Sequence, residues 1–155
     1  MLDKKFINKL ALETRTLYRK LVFDPAGGGK GAKDVYGKDY KKYSSSYKTA
    51  KESGELKRQS SKFKDSQAPV LSGDLLNAFD TLKTDSTGFG FGAIGQRGKI
   101  KRLNSMGRAV STNEKPVPDE VVKFIMKEMD KDVKGAFKKI KRAIKRKKIN
   151  INIGK

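Results

Sequence analysis

The stretch GFGFGAIGQRGK, residues 88–99, admits two readings that lead to different folds. Gly90, Gly92 and Gly95 spell G-x-G-x-x-G, the spacing of a loop that lays backbone amides against phosphate. The same residues can also form a glycine-rich strand. A dinucleotide fingerprint follows an apolar strand and opens a helix, whereas Thr84, Asp85, Ser86 and Thr87 precede this one and Gly98 stands where the helix should begin. Glu114 falls at a ribose-contact distance downstream, but a carboxylate at that range is common. A Walker loop needs Ser or Thr after Gly-Lys, and Gly98-Lys99 is followed by Ile100. A kinase loop fails because Arg97 occupies the valine position and the chain has no His for a catalytic loop. The strand reading survives these tests. DTLKTDS and TGFGFGAIG alternate in polarity and meet at a turn-forming cluster, residues 85–88, which predicts a β-hairpin. Phe89 and Phe91 then share one face, with Ile94 on the other. The bareness of Gly90 and Gly92 predicts close approach of another backbone, or a subunit contact, at those two residues.

Working outward, residues 2–22 place Phe6, Leu10, Leu17 and Leu21 on one helical face, widened by Ile7, Ala11, Tyr18 and Val22. Asp3 suits the first turn. Pro25 and Gly27-Gly28-Gly29 end that helix and predict a flexible connection. Tyr36, Tyr40, Tyr43 and Tyr47 recur at spacings of four, three and four among lysines, but Gly37 and three serines make only a marginal helix. These tyrosines read either as stacking platforms beside cations, as in binders of single-stranded nucleic acid, or as a stripe packed against the fold or a neighbouring subunit. Residues 55–68 offer only Leu56 and Phe63 as large apolar groups and read as a surface linker. In PVLSGDLLNAF, residues 69–79, Ser72 can cap a short helix that opens on Asp74 and carries Leu75, Leu76 and Phe79. Residues 100–106 suit one or two helical turns ended by a left-handed Gly107, and residues 108–111 suit a further strand.

After Pro116 and Pro118 comes the clearest helix. Val122, Met126, Met129, Val133, Phe137, Ile140 and Ile144 form one apolar stripe over about six turns. Its acids, Asp119, Glu120, Glu128, Asp130 and Asp132, come early and read as exposed ion-pair partners. Residues 134–148 hold nine basic residues and no acid, more than the helix dipole calls for. Lys134, Lys138, Lys139, Lys141, Arg142, Lys145, Arg146, Lys147 and Lys148 are thus candidates for contact with DNA phosphates or with an acidic partner surface. The tail, residues 149–153, alternates apolar and polar and suits an edge strand added to a neighbouring chain.

Composition narrows the chemistry. Of 155 residues, 37 are Lys or Arg and 17 Asp or Glu, so the net charge of +20 attracts polyanions and acidic protein surfaces. Neither Cys nor His is present, which removes thiolate nucleophiles, imidazole bases and most transition-metal sites. No reacting pair of carboxylates emerges, so no enzymatic activity and no cofactor are expected. No apolar run reaches the roughly 20 residues that cross a bilayer, and the expectation is a soluble chain made in a cytoplasm, without membrane partners. The pattern predicts an α+β fold: a small antiparallel β-sheet packed against an N-terminal helix and a long C-terminal helix, with a flexible Gly/Lys/Ser-rich loop. It is read as a single domain over 1–155, with a long loop or insertion with a marginal helix at 24–68 and a basic C-terminal extension at 134–155.

The order YSSSYKTAKESG, PVLSGDLLNAF, FGFGAIG, IKRLNSMGR, a proline turn and a long helix resembles the tailed-bacteriophage virion-morphogenesis and tail-completion proteins, a family of neck subunits that includes tail terminators. The resemblance spans roughly residues 36–135. Ser72, Gly73, Leu75, Asn77 and Phe79 match the family's Ser/Thr-Gly motif. Asn104 and Gly107 match a second motif, and Pro116 or Pro118 matches the proline before the last helix. The basic residue that often follows that proline is absent here, and the lysine-rich extension is additional. The resemblance implies a structural subunit of the head-to-tail junction of the virion, put together in the host cytoplasm. Such a subunit assembles as a homo-oligomeric ring or collar around the DNA channel, beside other neck, connector or tail proteins and the DNA itself. The bottom-up alternative is a small basic nucleic-acid-binding protein that uses the lysine-rich helix.

Overall fold

The computed structural model describes the backbone of residues 3–57, 59, 61–63, 65–69, 73–85 and 87–151, and side chains as far as residue 142. The fold is α+β: an N-terminal helix, a two-stranded antiparallel sheet packed against it, and a long C-terminal helix. The chain divides into two compact units, Met1–Val122 and Lys123–Lys155.

In the first unit, helix α1 (Lys4–Val22) starts where the Asp3 carboxylate accepts the Lys5 amide at 2.9 Å, an N-cap rather than a first-turn residue. Its buried face is Ile7, Leu10, Ala11, Thr14, Tyr18 and Val22. Phe6, Leu17 and Leu21, expected at the centre of the stripe, lie half-buried at its margin. The largest ring sets this rotation. Tyr18 is fully buried, donates to the Val110 carbonyl at 2.5 Å, and packs 4.7 Å from Phe79 and 4.9 Å from Phe91. Burial pushes its phenol well above the ordinary range. About one turn before Tyr18, Arg15 reaches Asp80 at 2.8 Å, and the next residue after Tyr18, Arg19, donates to the carbonyls of Phe79 and Asn77. The hairpin is therefore fastened to α1 by an aromatic cluster flanked by two arginines.

Strands β1 (Phe79–Asp85) and β2 (Gly88–Ala93) pair antiparallel, as the alternation predicts, with Thr81 opposite Phe91 and Lys83 opposite Gly90. Leu82 is the extra residue of a β-bulge between those two pairs. Its side chain lies over the bare strand: a Cβ on Gly92 would stand 3.3 Å from Leu82 Cδ1, and one on Gly90 3.5 Å from Leu82 Cβ. The neighbour that those glycines approach within this chain is therefore Leu82. Ile94 lies beyond the strand, in the turn that follows.

Helix α3 (Asp74–Ala78) has Gly73 as N-cap at φ +87°, while Ser72, the expected cap, lies outside the described residues. Helix α4 (Arg97–Ser105) begins three residues before the expected start, so Gly98 is helical. It closes as foreseen: Gly107, at φ +70°, donates to the Asn104 carbonyl and Arg108 to that of Leu103, the paired bonds of a Schellman end. Residues 108–111 form no strand; Ala109 instead accepts a single bond from the Val35 amide. The segment's carbonyls are taken up singly, that of Ala109 by the Val35 amide and that of Val110 by the Tyr18 hydroxyl, so no strand ladder forms.

Between α1 and α3 the chain is folded onto itself. Asp24, at φ +45°, accepts the amides of Gly27 and Gly31 on its carboxylate and that of Gly29 on its carbonyl, winding the glycine run around one side chain. Gly29 leaves no room for a Cβ, which would stand 2.0 Å from Ser66 Oγ. Helix α2 covers only Ser45–Ser53, capped by Ser44 and ended by a left-handed Gly54. Residues 55–68 are not a surface linker, because Phe63, Ser66 and Ala68 are buried. Small residues pack here against the glycine loop, which apolar content alone does not reveal.

In the second unit, helix α5 (Asp119–Ile151), whose first turn belongs to the first unit, runs on as predicted. Val121, not Val122, is the buried residue of that first turn. The Pro118 carbonyl accepts the amides of Val121 and Val122. Lys131 pairs with Glu128 at 2.5 Å and Lys134 with Asp130 at 2.6 Å, both exposed, as the charge pattern suggests. The tail is not an edge strand as far as Ile151, since the helix continues to that residue; Asn152 and Ile153 lie outside the described residues.

Candidate interaction surface

The four tyrosines do not share a face, because α2 begins only at Ser45 and three of them lie on non-helical chain. Tyr36 is exposed, its hydroxyl 3.3 Å from that of Thr112. Tyr40 is buried, donates to the Val22 carbonyl at 3.1 Å, and has its phenol raised by burial and by Asp34. Tyr43 and Tyr47 remain together, with ring centroids 4.6 Å apart.

Tyr43 is the hub of a polar cluster that ties three segments together. Its hydroxyl donates to the Ala68 carbonyl at 3.0 Å and its amide to Gln67 Oε1 at 3.0 Å. The Arg108 guanidinium covers the ring at 3.5 Å from the centroid. Arg108 is 3 % exposed, and its guanidinium donates to the Gln67 carbonyl at 2.7 Å and to the Lys41 carbonyl. Lys51 is also buried, with Nζ 4.9 Å from the same ring and donating to the Ser66 carbonyl at 2.5 Å. Burial, reinforced by the Arg108 charge, pushes the Lys51 ammonium down to about 8. Burial pushes the Tyr43 phenol up to about 12, against the pull of Arg108. Two cations are thus held indoors by backbone carbonyls and one aromatic ring, an arrangement that orders loops and offers no nucleophile to solvent.

Beside this cluster opens a groove of about 640 Å³ between residues 41–47, α3 and α4. Tyr43, Tyr47, Leu75, Leu103 and Met106 give it apolar walls. Lys41, Lys42, Lys99 and Arg102 also line it, all exposed, with Asp74 as the acid among the lining residues. Of the contact candidates read from sequence, Tyr43 and Tyr47 fall here, together with Gly73, Asp74 and Leu75 of the short-helix motif. Arg108, Lys99, Arg102 and Met106 were not singled out, although the Met-Gly-Arg sequence after a short basic helix is the local signal that places them.

Lys134, Lys138, Lys139, Lys141 and Arg142 are exposed on α5. Lys145, Arg146, Lys147 and Lys148 are on helical backbone, and their side chains lie outside the described residues. The α5 stripe keeps its helical spacing but is uncovered: Met126 is 66 % exposed, Phe137 70 % and Ile140 56 %. Among the described residues no group of three acidic side chains is arranged to hold a metal ion, and no helix is long and apolar enough to cross a membrane.

Comparison with protein-family models, curated proteins and solved structures finds no match to this chain.

Proposed function

We propose that this chain is a structural subunit of the head-to-tail joining region of a tailed bacteriophage, assembling into a ring or collar around the DNA channel and acting by shape, not by chemistry. The observation that carries the reading is the open apolar stripe of α5. Met126, Met129, Val133, Phe137 and Ile140 are all exposed along one helix, and covering a large apolar side chain is worth about 1.5–3 kcal/mol. Such a surface is satisfied by protein, and repeated copies around a ring supply it. The order of motifs in residues 36–135 supports the phage assignment. In purified form the protein is expected to give rings in negative-stain electron microscopy, with a single high-order species in native mass spectrometry. A monomer at tens of micromolar that also fails to join purified connector or tail particles refutes the reading.

A second reading, nucleic-acid binding, is favoured by one feature, the exposed cations at Lys138, Lys139, Lys141 and Arg142. It requires duplex affinity that falls steeply with salt and a slope that flattens when these four become alanine.

A further inference from the structure

We infer that the groove beside the Tyr43–Arg108 cluster is a docking site for an acidic segment bearing large apolar side chains, presented by a partner protein. Its volume, about 640 Å³, lies within the roughly 300–1,000 Å³ range of built ligand sites. Its walls are apolar and adaptable. Leu75 and Leu103 supply fixed aliphatic surface, and Met106, half exposed beside the Gly107 turn, supplies the flexible thioether common on peptide-binding surfaces. Lys41, Lys42, Lys99 and Arg102 stand against one lining acid, so the charge of the occupant is negative.

The same walls disfavour a nucleic acid. Tyr43 has one face under the Arg108 guanidinium and its hydroxyl bound to Ala68, and the Tyr43 and Tyr47 rings meet at 45°, leaving no parallel slot for a base. An acidic amphipathic helix or strand answers both halves of the groove, apolar side chains against the leucines and methionine, carboxylates against the four cations. The groove is also pre-formed. Arg108 fixes residues 41 and 67 relative to the end of α4, so binding orders little new chain. This inference rests on the assembly reading for the nature of the partner, a protein, and on the groove alone for its chemistry.

The test uses the full chain and labelled peptides of about 15 residues in fluorescence anisotropy: Asp/Glu with Leu at i, i+4 and i+7, the same peptide with Ala for Leu, and the same peptide with Lys for the acids. A single-stranded oligothymidine of similar length is the fourth probe. The acidic leucine peptide is expected to bind at least about tenfold more tightly than the other three. Met106→Glu and the double variant Lys99→Glu/Arg102→Glu are each expected to weaken it about tenfold or more. All three residues are exposed, and an unchanged unfolding midpoint confirms that the fold is kept. Gln at Lys138, Lys139, Lys141 and Arg142 leaves peptide binding in place. The inference is overturned by acidic-peptide affinity that ignores the groove variants, by tighter oligothymidine binding that they abolish, or by no peptide binding up to millimolar concentration. Groove-dependent peptide binding by a protein that forms no ring and joins no connector or tail particle refutes the assembly reading and leaves the docking site standing.

Discussion

Removing the Arg108 guanidinium gives the sharpest measure of what holds the first unit together. Arg108→Met keeps most of the side chain's apolar bulk and deletes two hydrogen bonds from a charged group, to the carbonyls of Gln67 and Lys41. Bonds of that kind contribute about 1.5–3 kcal/mol each, less here because the two carbonyls are only partly buried and regain water. Stacking on Tyr43 adds about 0.5–2 kcal/mol. Against this stands the relief of Lys51, which no longer shares the ring with a second cation. The net expectation is a loss of about 3 kcal/mol, or about 10 °C in Tm for a unit of this size. Arg108→Lys retains the charge and one bond but not the fork or the planar stack, so it should lose about half as much. Urea unfolding followed by near-ultraviolet tyrosine dichroism reads the first unit, because Tyr18, Tyr40 and Tyr43 all sit within it. If Arg108→Met unfolds within about 0.5 kcal/mol of the parent, or if lysine substitutes without loss, the guanidinium is not the tie described here.

Lys51 gives a pH signature. Its folded pKa of about 8 lies below the ordinary lysine value, so the unfolded chain binds the extra proton and stability should rise between about pH 8 and 10. Above pH 10 the order reverses: Tyr18, Tyr40 and Tyr43 have raised folded pKa values, the unfolded chain ionises first, and stability falls. Lys51→Met should remove the rise and keep the fall; a parent curve that is flat or falling from pH 8 to 10 refutes this account. Two glycines with similar backbones should respond differently to alanine. Gly54, at φ +78° in open space, should lose only about 1 kcal/mol, whereas Gly29, at φ +81° with Ser66 Oγ 2.0 Å from the new Cβ, should lose at least about 3. Equal losses in thermal unfolding would refute the close packing of residues 24–31 on residues 66–68.

The hairpin and the two long helices are legible in the sequence because each has a period that only one element satisfies: alternation in residues 79–93, and three- and four-residue steps in residues 4–22 and 119–144. The rotation of α1 is not legible, since Phe6 and Tyr18 both fit the pattern and what decides between them, the Val110 carbonyl and the rings of Phe79 and Phe91, comes from far along the chain. Residues 55–68 mislead for the opposite reason. Their burial rests on one phenylalanine and on Ser66 and Ala68, small groups that pack against Gly29, nearly forty residues earlier. The tyrosine ladder is an accident of spacing, because Gly37 takes a left-handed φ and the helix capped by Ser44 starts only after Tyr36, Tyr40 and Tyr43. Arg108 escapes notice from sequence because an arginine after a basic helix reads as surface charge. Its burial is set by the Schellman turn before it and by two carbonyls supplied from far along the chain.

The Leu82 bulge has a consequence for how copies of this chain can meet. A two-stranded hairpin with a glycine-rich strand is a natural template for strand addition, a hazard that the proposed ring would raise by crowding copies around one axis. Regular addition along β1 needs an unbroken row of outward amides and carbonyls, and the extra residue between Thr81 and Lys83 breaks that row at its middle. Exposed Lys83, paired with Asp85, places charge beside the break. The hairpin is thereby a poor seed for open-ended fibres.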